Sequence, residues 1–350
     1  MSASTARPRR LVVDLRSEAA VWRIPEALEA RLATSAPPGW EVVVVTTDTV
    51  SDGDGGQPPT DEALAAVRDA EVYFGYGVPE PLLRAAPGLR WVHTATAGVG
   101  ATLHPAMRAS DIVLSNSAGI HAVPMAEYVL AGLLHFWRGL DVAQRQQRAS
   151  QWSRGFWIDA ATPVREVGES AVLIVGTGGI GTALATRLTA LGARCVGVRR
   201  RPTLGVPEGF AQVVGLDGLD AALARCDAVV LAAPATPSTV GVLTAERLDR
   251  LPAHAVVVNV GRGSLLDAAA LAERLAAGRL RGAVLDVFDP EPLAADSPLW
   301  QLPTVLATPH ISAVTPRRFW EREAALFFEN WGRYVRGESL RNVVDKDAGY

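Results

Sequence analysis

Three short segments late in the chain carry polar groups where an apolar run stops. They are Asn259-Val260-Gly261-Arg262-Gly263-Ser264, then Leu285-Asp286-Val287-Phe288-Asp289-Pro290-Glu291-Pro292, then Thr308-Pro309-His310-Ile311-Ser312. Between them they offer Arg262, Asp286 with Glu291, and His310. These residue types suit the reduction of a 2-oxo acid. Arginine presents a planar fork to a carboxylate or carbonyl. Imidazole titrates near neutral pH and can deliver a proton to oxygen as hydride reaches carbon. A carboxylate beside the ring favours its protonated form and holds its orientation. In open α/β sheets, ligands bind beyond the carboxyl ends of the strands. Three successive strand ends would therefore turn these groups towards one crevice. Each residue alone has a plainer reading. Arg262 between glycines could cap a helix, Glu291 between prolines could be solvated, and His310 after Thr-Pro could be a satisfied structural histidine.

The stretch that would hold the hydride donor runs from Ala171 to Pro202. Ala171 to Val175 is a short, branched apolar run of the kind that forms a buried parallel strand. Gly176, Gly178 and Gly181 come next as G-x-G-x-x-G, with Gly179 and Ile180 inside the motif. Thr182 to Leu191 then repeats Ala183, Leu184, Leu188 and Leu191 at helical spacing, Gly192 closes that helix, and Ala193 to Val198 reads as a second strand. The first glycine permits the tight turn, the second lets backbone approach a pyrophosphate, and the third lets helix pack on strand. The helix N-terminus then offers free N–H groups and a positive dipole end. Strand, loop, helix and strand together raise a weak motif to a dinucleotide site.

The remaining elements must position these groups. At 350 residues the chain is long enough for two domains. Lys plus Arg (34) nearly balances Asp plus Glu (37), so no broad field favours nucleic acid or an anionic membrane. The two cysteines, Cys195 and Cys226, are isolated and apolar in setting, against both a disulfide framework and a zinc site. The histidines show no metal-ligand spacing, and no metal is expected. Met1 to Arg10 is basic and polar, and Leu11 to Leu15 is too short for a signal peptide. No stretch has the length and apolarity of a membrane span. The cytoplasm is the expected compartment. Strands are expected at Leu11–Leu15, Glu41–Thr46, Val72–Gly75, Leu89–Thr94 and Ile112–Ser115, with helices at Glu26–Ala33, Asp61–Asp69 and Pro79–Ala85. Ser51 to Thr60 has the composition of a surface loop. Val123 to about Arg148 reads as one long helix, and Gln151 to Gly168 as an irregular arm. Further strands are expected at Ala228–Ala232, Ala255–Val260, Gly282–Val287 and Thr304–Ala307, with helices at Ala268–Ala277 and Pro316–Arg336. Tryptophans 152, 157, 300 and 320 read as core or subunit contacts, with one of the first two a candidate to line an active site, of a neighbouring subunit or its own.

Several of these segments, in this order, resemble the D-2-hydroxyacid dehydrogenase family, and within it the glyoxylate and hydroxypyruvate reductases. VNVGRGSLLD is similar to the family's Arg segment, LDVFDPEPL to its Glu segment, PLWQLPTVLATPHIS to its His segment, and AAPATPSTVGVL to a loop of its cofactor domain. The likeness extends from about Thr96 to His310 and is dense from Val172 on. It implies an α/β fold of two Rossmann-like or flavodoxin-like domains with parallel sheets. The cofactor domain, residues 118–313, would be inserted into a substrate domain of residues 1–117 and 314–350. The active site would be the cleft, with hinge closure excluding water.

The resemblance also implies roles. His310 is then the general acid in reduction and the base in oxidation, Glu291 its partner, and Arg262 the group that binds the 2-oxo acid. Asp286 would lie near the nicotinamide, with Pro234, Thr239 and Val260 also on the cofactor. Ala97, Gly98 and Val99 resemble the loop whose N–H groups hold the substrate carboxylate, although Gly100 stands where the family usually has Asp. Asn116 and Glu127 match positions with a structural role. Relatives that use NAD carry an acid at the end of the second strand, for the ribose 2′-OH. Here Arg199, Arg200 and Arg201 stand there, and guanidinium groups would bind a 2′-phosphate. NADPH is the expected cofactor, with NAD possible; the alternative is that the triple Arg is a solvated turn. The expected substrate is a small 2-oxo acid of glyoxylate or hydroxypyruvate type, and the expected assembly a homodimer. Two other readings stand beside this one. They are a cofactor-sensing binding protein like the corepressor relatives, and an S-adenosylmethionine-dependent methyltransferase.

Overall fold

The computed structural model describes residues 8–49 and 55–349. The basic start up to Arg7 and residues 50–54, which cover part of the expected Ser51–Thr60 loop, lie outside them. The chain divides into two compact units, Met1–Ile120 with Thr315–Tyr350, and His121–Val314.

In the first unit, short branched runs alternate with helices, so each strand is covered on both faces and pairs in parallel. The strands are β1 (Arg9–Asp14), β2 (Trp40–Val44), β3 (Val72–Gly75), β4 (Trp91–Thr94) and β5 (Val113–Asn116). Their order is β2-β1-β3-β4-β5, all parallel, which is the flavodoxin-like arrangement. One face packs Val12, Tyr73, Leu82, Val92, Met107 and Leu114. The other packs Leu11, Val13, Phe74 and Trp91 against the helix Phe319–Val335. Phe74 stacks on Phe327 with ring centroids 3.9 Å apart. The same helix buries Glu323, whose Oε1 lies 3.3 Å from His93 Nε2 but outside hydrogen-bonding geometry. The last residues of the chain run along β5: Asn116 N donates to Asn342 O (3.1 Å) and Val344 N to Leu114 O (2.8 Å).

The second unit holds β6 (Ala171–Val175), β7 (Arg194–Val198), β8 (Gln212–Val214), β9 (Ala228–Leu231), β10 (Val256–Asn259), β11 (Gly282–Leu285) and β12 (Val305–Ala307). Their order is β12-β11-β10-β9-β6-β7-β8, again all parallel. The order reverses between β6 and β9, the crevice where doubly wound sheets bind ligands. β8 was not expected from sequence. It has three residues, is only partly buried, and sits at the sheet's edge.

One expectation is corrected. The long helix is two helices, Ala122–Trp137 and Leu140–Arg148, separated at Gly139. Gly139 takes φ 69°, and a Cβ there would lie 2.8 Å from the Phe156 ring and 2.9 Å from Trp157 Nε1. The rings of the arm therefore press against the point where the helix turns. Trp152 is not core, being 92% exposed, and Trp300 is 48% exposed, whereas Trp320 is buried. Both cysteines are buried and unpaired, and burial pushes the Cys226 thiol up to about 12. Among the described residues no helix is long and apolar enough to cross a membrane.

Candidate active site

The glycine loop leaves β6 at Val175. Gly176 takes φ 106°, and a Cβ there would lie 2.6 Å from Ala232 O. A Cβ on Gly181 would lie 2.0 Å from Gly176 O, so the helix Gly179–Ala190 sits against the loop itself. Gly178 differs: it is exposed, its φ is −79°, and a Cβ there would meet nothing within 4 Å. Packing within the chain demands the first and third glycines but not the second. The first N–H groups of the Gly179–Ala190 helix have no partners inside the helix, and its dipole adds partial positive charge.

β7 delivers the three arginines. Arg199 turns its guanidinium back on its own loop, donating to Pro202 O (3.5 Å) and to Gly205 O. Its Nε is buried without a partner. Arg200 and Arg201 are exposed. After β9, Thr239 Oγ1 donates to Pro234 O (2.6 Å) and accepts from Thr236 N (2.8 Å), so this loop is tied internally. Val260 has its side chain in the core, 2% exposed, and only its backbone could meet a cofactor.

β10 ends at Asn259, which is fully buried and organises the turn after it. Its Nδ2 donates to Arg262 O (2.9 Å) and its Oδ1 accepts from Gly261 N (3.1 Å). Arg262 Nη1 donates to Gly261 O (2.8 Å). A Cβ on Gly263 would lie 2.0 Å from the Phe288 carbonyl carbon, so the Arg262 segment passes directly over the Glu291 segment. Glu291 bridges: its Oε1 accepts from Phe288 N (2.9 Å) and its Oε2 lies 3.0 Å from His310 Nδ1. With Nδ1–H given to Glu291, the proton that His310 can exchange is on Nε2. The pair is about one-third exposed, so solvent reaches it. His310 itself takes φ 54°, in the left-handed region.

Asp286 has a task in the chain itself that was not expected from sequence. It is fully buried, and both carboxylate oxygens are committed to the His310 turn. Oδ1 accepts from Thr308 Oγ1 (2.5 Å) and Ile311 N (2.8 Å), Oδ2 accepts from Ser312 N (2.8 Å), and Asp286 O accepts from His310 N (2.9 Å). Three donors thus converge on its carboxylate, and the residue holds the turn.

In the first unit, Thr96 Oγ1 donates to Gly98 O (2.8 Å) and Asn116 Nδ2 to Ala97 O (2.7 Å). These bonds fix the loop's carbonyls. Among the described residues, none accepts from the N–H groups of Ala97, Gly98 or Val99. Glu127, on the Ala122–Trp137 helix, is exposed and lies 3.8 Å from Arg187. Asn259 and Thr308 were not singled out from sequence; the signal for each is a polar residue directly at a strand end.

Comparison with known proteins identifies the arrangement. The D-isomer specific 2-hydroxyacid dehydrogenase, NAD binding domain matches residues 130–312. The chain belongs to the D-isomer specific 2-hydroxyacid dehydrogenase family. A glyoxylate/hydroxypyruvate reductase A of Salmonella paratyphi B is 35% identical over 272 residues, covering 75% of this chain and 82% of that protein. A solved D-isomer specific 2-hydroxyacid dehydrogenase of Xanthobacter autotrophicus Py2, in complex with NADPH and MES, superposes with a TM-score of 0.78 at 30% identity. It covers 99% of this chain and 100% of its own. An NADPH-dependent glyoxylate/hydroxypyruvate reductase of Sinorhizobium meliloti, in complex with NADP and sulfate, gives 0.77 at 29% identity, covering 98% of this chain and 100% of its own. The dehydrogenase also matches mycobacterial D-3-phosphoglycerate dehydrogenases, of whose length it spans about half (54%). With an NAD binding domain matched, a nicotinamide cofactor replaces S-adenosylmethionine as the ligand of the glycine loop. The residues present fit it. Gly178 offers open backbone at a helix N-terminus, and Arg199, just beyond β7, carries a buried Nε without a partner.

Proposed function

We propose that this dehydrogenase reduces small 2-oxo acids, of the glyoxylate or hydroxypyruvate type, to D-2-hydroxy acids with NADPH as preferred reductant. The observation that carries the reading is the His310–Glu291 pair, about one-third exposed, one loop away from Arg262. Gly176 to Gly181 would hold the cofactor's pyrophosphate, and Arg200 and Arg201, beside Arg199, the 2′-phosphate. The bound cofactor supplies a hydride. Arg262 binds and polarises the 2-oxo acid. The N–H groups of Ala97, Gly98 and Val99, from which none of the described residues accepts, receive the carboxylate, and the loop is held by Thr96 and Asn116 through the carbonyls of Gly98 and Ala97. His310 gives its Nε2 proton to the substrate oxygen, Glu291 keeps the ring oriented through Nδ1, and oxidation runs the same proton backwards. The first unit is thus the substrate unit and the second the cofactor unit. We further propose a homodimer through the second unit, with the Trp152 arm at the contact. Its exposed Trp152, Ile158 and Leu140 are the kind of surface that subunits cover.

The test is a panel of 2-oxo acids assayed with NADPH and NADH in parallel, alongside His310→Asn. Asparagine tolerates the left-handed backbone that residue 310 requires. Loss of the general acid should lower kcat about 10²- to 10⁴-fold. A variant that turns over within tenfold of the parent removes His310 from its role. Absence of turnover on every 2-oxo acid leaves the corepressor-like reading in its place.

A further inference from the structure

The donors on Asp286 lead further than the His310 turn. Thr308 Oγ1 lies 2.5 Å from Asp286 Oδ1, and on its other side Tyr128 Oη lies 2.5 Å away. A hydroxyl has one proton to donate. Thr308 gives its proton to Asp286, so the Tyr128 phenol is the donor to Thr308. Burial, with the Asp286 charge adding to it, pushes that phenol up to about 12. Tyr128 therefore keeps its proton throughout the working range. The bonds run in one sense, from Tyr128 to Thr308 to Asp286, and bonds aligned in one sense strengthen one another.

Asp286 is where this string reaches the chemistry. Its backbone oxygen and two carboxylate oxygens hold the N–H groups of His310, Ile311 and Ser312 in succession. Between these restraints His310 sits at φ 54°, a conformation that a side chain other than glycine adopts only when its surroundings impose it. Among the described residues, Thr308 is the one donor on Asp286 that comes from a side chain, so it is the one whose direction can be lost without moving backbone. Tyr128 fixes that direction. It stands on the Ala122–Trp137 helix, whose far side packs into the core through Met125, Val129 and Leu133.

We propose that Tyr128 is a positioning residue for His310, acting through Thr308 and Asp286 to fix the turn from which the imidazole delivers its proton. The proposal rests on His310 being the general acid. Tyr128→Phe removes Oη and leaves the ring packing in place. Thr308→Val removes the relay hydroxyl, and Thr308→Ser keeps it. Misplacement of a catalytic group costs on the order of ten- to a hundredfold in rate. Tyr128→Phe and Thr308→Val should each lower kcat by at least about tenfold, with the KM for the 2-oxo acid and the Kd for NADPH within about twofold of the parent. Thr308→Ser should keep the parental kcat. The double variant Tyr128→Phe/Thr308→Val should be no slower than the slower single variant, because both cut one string. The proposal is overturned by a parental kcat in Tyr128→Phe, by single effects that multiply in the double variant, or by a loss in NADPH affinity as large as that in kcat. If His310→Asn is inactive while Tyr128→Phe turns over normally, the role of Tyr128 alone falls. If His310→Asn stays active, the underlying reading falls.

Discussion

Gly178 and Gly181 sit three residues apart, at the start of one helix and inside it, and a single methyl group should separate their tasks. At Gly178 an added Cβ meets nothing within 4 Å, and the backbone (φ −79°, ψ −161°) suits alanine. Alanine is a poorer N-cap than glycine by about 0.5–1 kcal/mol. It also restricts the unfolded chain, which returns about 0.4–1 kcal/mol. The Tm of the apoprotein should therefore stay within a degree or two. The methyl would instead occupy the approach to the pyrophosphate, where crowding costs about 1–3 kcal/mol, or about 5- to 150-fold in Kd. At Gly181 the added Cβ lies 2.0 Å from Gly176 O and 3.2 Å from Ile174 Cγ2, so helix and loop must part. The same 1–3 kcal/mol now falls on the fold, lowering Tm by roughly 2–12 °C for a unit of this size. Thermal shift with and without NADPH reads both effects. At a hundred times the parental Kd, NADPH stabilises by about 2.7 kcal/mol; a 30-fold weaker variant retains about 0.9 kcal/mol. Gly178→Ala should thus melt like the parent without cofactor and lose about two-thirds of the NADPH-induced shift. Parental NADPH affinity in Gly178→Ala, or an apoprotein as unstable as Gly181→Ala, refutes the assignment.

Two more predictions concern charge. Replacing both Arg200 and Arg201 by Ser should weaken NADPH about 5- to 30-fold, taking roughly 0.5–1 kcal/mol for each exposed contact, and leave NADH unchanged. The difference should shrink as salt rises towards about 1 M, where screening is nearly complete; equal losses for both cofactors would mean that neither arginine reads the 2′-phosphate. In the first unit, Asp14 is buried with Oδ1 unpartnered and Oδ2 accepting from Tyr73 Oη (2.8 Å), and burial raises its pKa. A carboxyl with a raised folded pKa stabilises fully below its unfolded pKa of about 3.9 and loses that contribution as pH rises through the folded value. Asp14→Asn should therefore melt above the parent at about pH 8 and converge with it towards about pH 3; a constant gap across that range would contradict the burial argument.

Arg262 and His310 could be placed beyond strand ends because each closely follows an apolar run that reads as a buried strand, and Glu291 lies further along the segment that leaves β11. Strand ends in a parallel sheet are where such groups gather. The strands themselves were legible for the same reason: branched runs bounded by glycine or proline. β8 was not, because three half-buried residues at an edge carry no alternation to read. The break at Gly139 had a visible signal in the glycine itself, but what makes it necessary is the Phe156 and Trp157 rings, which arrive from the arm beyond the second helix. The network around Asp286 shows the deeper limit. Tyr128 and Thr308 are 180 positions apart, and only the fold brings their oxygens together.

The strand β5 lies at the outer side of its sheet, where unpaired backbone would present a template for strands of other molecules. The closing residues of the chain cover it. Val343 pairs antiparallel with Ser115, Asn116 N and Val344 N bond across the edge, and Asn342 Nδ2 reaches Ala118 O (2.8 Å). Asn116, clasped in this way, is also the residue whose amide secures Ala97 O. The tail thus joins two concerns that are usually separate: resistance to edge-to-edge aggregation, and the fixed shape of the loop at Ala97.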